Sequence, residues 1–254
     1  MPSAFKAYSE GNADYIKSMA QKQAECGAEY LDINAAMLPD EKEKLLWAAE
    51  NVLSVCGDAG LVIDSADPAA IRYVMEKIKA RAKKIIINSV TLEKNRLEGI
   101  LPLAAENRTG IVALPIENSM PQSSEERVEN ARKLIALLTG KGIPVSWIYL
   151  DIVVEAVSAN WEAPRQALLA AAQLRKEYPE LHLVAGLSNV SFGLPKRVYI
   201  NSAFLSSMIA MGVDSAIMDI TNTEMRMQLG SALMVNGQDE YCAGYLETYR
   251  DVFE

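Results

Sequence analysis

Three observations on the sequence predict an α/β fold of the (β/α)8 TIM-barrel class. Short β-branched runs alternate with longer segments of helical period, most of those runs are continuously apolar, and their ends recur every 24 to 38 residues. Continuous apolar runs suit parallel strands covered on both faces. A single βα unit per beat recurs too often for most two-domain arrangements. No linker rich in Pro, Gly or Ser breaks the series, so residues 1–254 read as one domain, with an open doubly wound sheet as the alternative.

The elements follow in order. Asn12 can cap a first helix that ends near Gly27. Strands are expected at Glu29–Asn34 (EYLDIN) and Leu61–Asp64 (LVID), and Asp67-Pro68 then supplies a cap and an N1 proline for AAIRYVMEKIKARA. Lys84–Ser89 (KIIINS) and Gly110–Leu114 (GIVAL) are the next strands. Ser123-Ser124-Glu125-Glu126 loads acids at the start of a helix whose Val128, Ala131, Leu134, Ile135 and Leu138 share one face. Ser146–Asp151 (SWIYLD), a helix from Asn160 to Tyr178, His182–Gly186 (HLVAG), a helix from Lys196 to Met211 and Ser215–Asp219 (SAIMD) complete the series, with helical mass from Thr223 to Tyr249. Eight strands are needed and seven are visible, so the first barrel strand is not evident. Either the given chain begins late or Met1–Tyr8 supplies a poor strand.

Composition narrows the function classes. The 254 residues carry 25 Lys plus Arg against 33 Asp plus Glu, a net charge of −8 that argues against neutralising a nucleic-acid backbone. Cys26, Cys56 and Cys242 form no CxxC pair and read as buried small hydrophobes. The lone histidine, His182, rules out histidine-rich metal centres and reads as structural, and Trp47, Trp147 and Trp161 read as packing residues. No apolar run is long enough to span a membrane and no signal peptide opens the chain, so a reduced, soluble, cytoplasmic protein is expected.

The informative pattern is where each apolar run stops. The ends are Asn34, Asp64-Ser65, Asn88-Ser89, Asp151, Asn189 and Asp219, and in a parallel barrel the carboxyl ends of the strands carry the active site. Any one of them could instead cap the next helix or form an Asx turn, and Asp219 could cap near Thr221–Thr223. Carboxylates and amides, without clustered cations, suit a neutral heterocycle rich in hydrogen-bond donors and acceptors. No GxGxxG or GxxxxGK[ST] turn is present to cradle a phosphate. Oxygen ligands would suit Mg²⁺, but the amides outnumber what a hard cation prefers.

AECGAEYLDINA, VIDS, IINS, YLD, GLSNVS and FLSSMIAMGVDSAIMD together resemble the methyltetrahydrofolate:corrinoid-protein methyltransferases, from about residue 12 to the C-terminus. These belong to the pterin-binding group that also holds dihydropteroate synthase and the folate domain of cobalamin-dependent methionine synthase. GLSNVS with Asn201 shortly after it is the most specific piece. The resemblance implies a TIM barrel whose Asp64, Asn88 and Asp151 hold the pterin ring of tetrahydrofolate or 5-methyltetrahydrofolate. It implies that Asn189 lies near N5 as the catalytic residue, that Asn34 and Ser188 line the same pocket, and that Arg197 reaches the folate's outer parts. It also implies a homodimer and a cobamide carried by a separate corrinoid protein, since this chain lacks the DxHxxG signature of base-off cobamide binding.

The chemistry fits these residue types. Methyl transfer between N5 and cobalt is an SN2 step, and the nitrogen leaves poorly unless protonation or a strong hydrogen bond offsets its developing charge. A dihydropteroate-synthase-like enzyme is the closest alternative, but the loop after Asn34 (AAMLPDEKEK) does not look like a pyrophosphate site. A non-catalytic pterin-binding protein is the alternative of a different class.

Overall fold

The seven expected strands form, each with its ends within two residues of the expected bounds. The computed structural model describes residues 2–36 and 38–254. Met1, in the expected N-terminal strand, and Met37, in the loop after Asn34, lie outside the described residues. The strands are β1 (Tyr30–Asn34), β2 (Gly60–Asp64), β3 (Ile85–Val90), β4 (Gly110–Ala113), β5 (Ile148–Asp151), β6 (His182–Gly186) and β7 (Ser215–Ile217). Their order in the sheet is their order in the sequence, the arrangement of a singly wound barrel and not of a doubly wound sheet.

The chain divides into two compact units, Met1–Ala113 with Leu137–Ile148, and Leu114–Ala136 with Tyr149–Glu254. In the first unit, β1 to β4 pair in parallel. The buried faces of α3 (Glu41–Val55) and α4 (Pro68–Ile78) repeat at helical spacing: Leu45, Ala48, Ala49 and Val52 on one, Ala70, Ile71, Val74 and Ile78 on the other. The sequence signals for the helix starts hold at atomic detail. Asn12 Oδ1 accepts from Tyr15 N at 3.1 Å ahead of α2 (Ala13–Glu25), and Asp67 Oδ1 accepts from Ala69 N at 2.8 Å ahead of Pro68. One expectation is corrected. Residues Pro2–Glu10 form a helix, α1, and not a poor strand. Ala7 and Tyr8 are buried, and Tyr8 meets Trp47 edge-on at 5.8 Å. The remaining helix of this unit is α5 (Lys94–Asn107).

In the second unit, β5, β6 and β7 pair in parallel, with Asp151 opposite Val184 and Val184 opposite Ser215. The helices here are α7 (Ala163–Glu177), α8 (Arg197–Ala210), α9 (Thr223–Val235) and α10 (Ala243–Phe253), with α6 (Ser124–Gly140) belonging to this unit as far as Ala136. The expected inner face of α6 is buried throughout, from Val128 to Leu138. His182 is structural, as expected. It stacks on Tyr149 at 4.5 Å, and its Nδ1 lies 3.1 Å from Asp214, which also takes Arg175 at 3.0 Å and Leu183 N at 2.9 Å. Two surface readings change. Trp161 is 79% exposed, and Cys26 and Cys242 are only partly covered while Cys56 is buried. Among the described residues no helix is long and apolar enough to cross a membrane.

Candidate functional site

In the first unit, strand register makes a polar row. Asn34 pairs with Asp64, and Asp64 with Asn88, across three adjacent strands. The period of two sends Leu31 and Ile33 into the core and leaves Asp32 and Asn34 on the other face. Asn34 serves two purposes at once: its Oδ1 accepts from Ala36 N at 2.8 Å in an Asx turn, and its Nδ2 donates to Asp64 Oδ2 at 2.6 Å. Capping and site geometry are therefore not alternatives at this position.

These carboxyls are held away from ordinary behaviour. Burial pushes Asp64 up, against the Asn34 hydrogen bond and the nearby Arg96 charge, and Glu41 adds to the rise. Asp32 is pushed up to about 7, first by the protein crowded around it, then by the Asp64 charge, with the Asn88 hydrogen bond opposing. Asp32 keeps solvent contact, so its rise is a crowding effect and not complete enclosure. The Tyr8 phenol is raised by burial and then by Asp32, while a hydrogen bond with the Asn34 backbone opposes. Arg96, on α5, ties the ends of β2 and β3 together: Nη1 donates to the Ser65 and Ala66 carbonyls, and Nη2 lies 3.5 Å from Ser89 Oγ. Ser65 in turn donates to Glu41 and accepts from Asp67 N at 3.0 Å.

In the second unit, Asp151 ends β5. Its Oδ1 accepts from Val153 N at 2.7 Å, and burial lifts the carboxyl to about 6 against that bond. Strand β6 runs directly into a 3-10 turn, Leu187–Ser191, whose Leu187, Val190 and Ser191 point inward while Ser188 and Asn189 face solvent. Arg197, the first residue of α8, grips this turn. Its Nη2 donates to Ser188 O at 2.5 Å and its Nε to Ser191 Oγ at 2.9 Å, while Ser191 donates to Asn201 Oδ1 at 2.7 Å. The GLSNVS segment and Asn201 thus form one structural unit around Asn189. Asp219 makes an Asx turn with Thr221 N (3.0 Å) and Oγ1 (2.6 Å), and Asn222 is the cap of α9.

The Asn189 amide lies over Gly186. A Cβ at position 186 would come within 3.0 Å of Asn189 Nδ2, tight enough to displace the amide by a few tenths of an ångström. Gly186→Ala is expected to slow any step that depends on Asn189 by about 3- to 10-fold, since a full 1 Å misplacement can cost about 10². Ligand affinity should be unchanged, which single-turnover rates beside a binding titration would check.

A profile of the family described as pterin binding enzyme matches residues 2–219. The chain belongs to the pterin binding enzymes. It is also 31% identical, over 98% of its length and 92% of the relative's, to a methylcorrinoid:tetrahydrofolate methyltransferase of Eubacterium limosum, which places it among the methyltransferases of this family. A methionine synthase of Mycobacterium tuberculosis is 30% identical over 80% of this chain, a match that spans 18% of that protein. Among solved structures, Yersinia pestis DHPS with a pterine-sulfa conjugate superposes with TM-score 0.67 at 19% identity, covering 89% of this chain and 90% of the other. A Coxiella burnetii dihydropteroate synthase in complex with pteroic acid gives 0.67 at 15% identity, covering 87% and 85%. At such identities the likeness shows the fold alone, and that fold is the TIM-barrel class read from the sequence, with seven strands among the described residues.

Sequence reasoning named Asn34, Asp64, Asn88, Asp151, Ser188, Asn189 and Arg197. It passed over Asp32, Arg96 and Tyr8. Asp32 stands two residues before Asn34 on one strand, so alternation alone would have put both on one face.

Proposed function

We propose that the chain moves a methyl group between N5 of tetrahydrofolate and the cobalt of a separate corrinoid protein. The near full-length match to the Eubacterium limosum methyltransferase carries this reading. The corrinoid is a co-substrate brought by its own protein, and cobalt supplies the methyl donor or acceptor.

The residues of this chain bind and orient. In the first unit Asp64, as a carboxylate, accepts from N–H donors of the pterin and Asn88 both donates and accepts along a ring edge; in the second unit Asp151 is, as a carboxylate, an acceptor for donors of the same kind. Asn34 holds the Asp64 carboxylate in place through the 2.6 Å bond already described. Asn189 is exposed on a turn that Arg197 grips, and among the described residues its side-chain amide has no hydrogen-bond partner. That leaves it to hydrogen-bond N5 as charge shifts there, an electrostatic role that an amide fills without transferring a proton of its own. The grip of Arg197 on Ser188 and Ser191 assigns it to holding the Asn189 turn, in addition to any reach toward the folate. A dihydropteroate-synthase-like reading gains nothing from the solved structures, because their likeness extends to the fold only.

The test is isothermal titration with tetrahydrofolate and 5-methyltetrahydrofolate, where micromolar binding is expected. Binding should depend on pH with a definite sign. The acceptor form of Asp151 is the carboxylate, populated above about 6. Below that pH a proton must be displaced on binding, so affinity is expected to fall up to tenfold per pH unit. The raised Asp64 pushes in the same direction. A flat affinity between about pH 5 and pH 8 would remove the carboxylates from the contact.

A further inference from the structure

Arg127 is the one arginine among the largest fully buried side chains, with 1% of its side chain exposed. It sits near the start of α6, on the stripe that continues through Ala131, Leu134 and Leu138. A guanidinium in the interior is costly unless its hydrogen bonds are good, and these are long. Nη1 lies 3.3 Å from Ser123 O, and Nη2 lies 3.4 Å from both Val153 O and Glu155 Oε1. Among the described residues Nε is buried without a partner. Stability is therefore a poor reason for this group to be here. Its contacts converge instead on the segment just after Asp151.

That segment is strained. Val153 has φ +54°, and it is the one β-branched residue with positive φ among the described residues. A branched side chain disfavours this left-handed conformation. The Val153 N–H donates to Asp151 Oδ1 at 2.7 Å, and the positive φ at 153 turns the chain beyond that N–H so that the Val153 carbonyl meets Arg127. Ile152 N and Val157 N are tied to the Val184 and Val190 carbonyls at 3.0 Å each, so both ends of the segment are anchored and Arg127 grips the middle.

We propose that Arg127, with Glu155, is a brace: by gripping the Val153 carbonyl it holds residue 153 in its left-handed conformation and so keeps in place the preceding peptide, whose N–H donates to the Asp151 carboxylate. Arg127 is a positioning residue, and its consequence for folate rests on the role proposed above for Asp151.

The experiment compares wild type, Arg127→Met and the double variant Arg127→Met/Val153→Gly. Glycine adopts positive φ without the penalty valine carries, so it removes the need for a brace without replacing the charge. Amide hydrogen exchange at residue 153 is read without ligand, beside 5-methyltetrahydrofolate affinity. In Arg127→Met the residue 153 amide is expected to exchange about tenfold faster, with Leu150 and Leu183 in the strands unchanged. Affinity should fall about tenfold, and the double variant should recover both readouts. Unchanged protection at residue 153, or a double variant no better than Arg127→Met, overturns the brace. Arg127→Gln, shorter and uncharged but still polar, takes the place of a methionine variant that does not fold, with the same expected signs. Because exchange needs no ligand, a wild type that ignores folate would end the proposed function while the brace is still decided.

Discussion

Asn189→Ala is expected to slow methyl transfer by about 10²- to 10³-fold while changing folate affinity by less than about threefold, the pattern of an interaction made chiefly in the transition state. In the methylated folate N5 carries little charge, and a hydrogen bond there contributes little to ground-state binding. As the N5–methyl bond breaks, the electron pair stays on nitrogen and an amide N–H aimed at it gains strength. The turn that bears Asn189 is fixed from both sides. Leu187 and Val190 are buried, and Arg197 clamps Ser188 and Ser191. Truncation to alanine should leave that scaffold intact. Single-turnover transfer beside a folate titration separates the two quantities, and an equal loss in both would reduce Asn189 to a binding residue.

Asp151→Ala is expected to act oppositely, weakening folate binding by about 10²-fold or more. A carboxylate taking two adjacent N–H donors makes charge-assisted bonds of roughly 1.5–3 kcal/mol each, and their loss leaves ring donors unpaired. The protein should tolerate the change. The carboxyl is lifted to about 6 by burial, so its charge is held at a cost that alanine removes. Calorimetry with 5-methyltetrahydrofolate checks this, with thermal unfolding as the control for folding. Affinity within threefold of wild type would take Asp151 out of the site.

The strands were legible because burial on both faces leaves no ambiguity: IIIN and LVID can only be apolar runs that stop at a polar end. The row Asn34–Asp64–Asn88 was legible for the same reason, since parallel strands of similar length align their ends in register. Helix α1 was hidden because a short segment with Phe5 exposed and Tyr8 buried shows too little periodicity to choose between helix and strand. The turn carrying Asn189 has no period at all, and only its backbone geometry reveals that Arg197 holds it. Arg127 was hidden by its neighbours. Ser-Ser-Glu-Glu-Arg reads as a solvated helix start, although position 127 lies one turn before Ala131 on the buried stripe, and that spacing was the available signal.

The most direct test of the central claim mixes the purified chain with a methylated corrinoid protein and tetrahydrofolate, following the cobalt absorbance together with 5-methyltetrahydrofolate by chromatography. The account predicts that cobalt loses its methyl group as methylated folate appears in equal amount, and that both changes reverse when the reaction is started from the other side. A chain that binds folate but leaves the methyl group in place from either direction would contradict it and make this a pterin-binding protein without transfer chemistry.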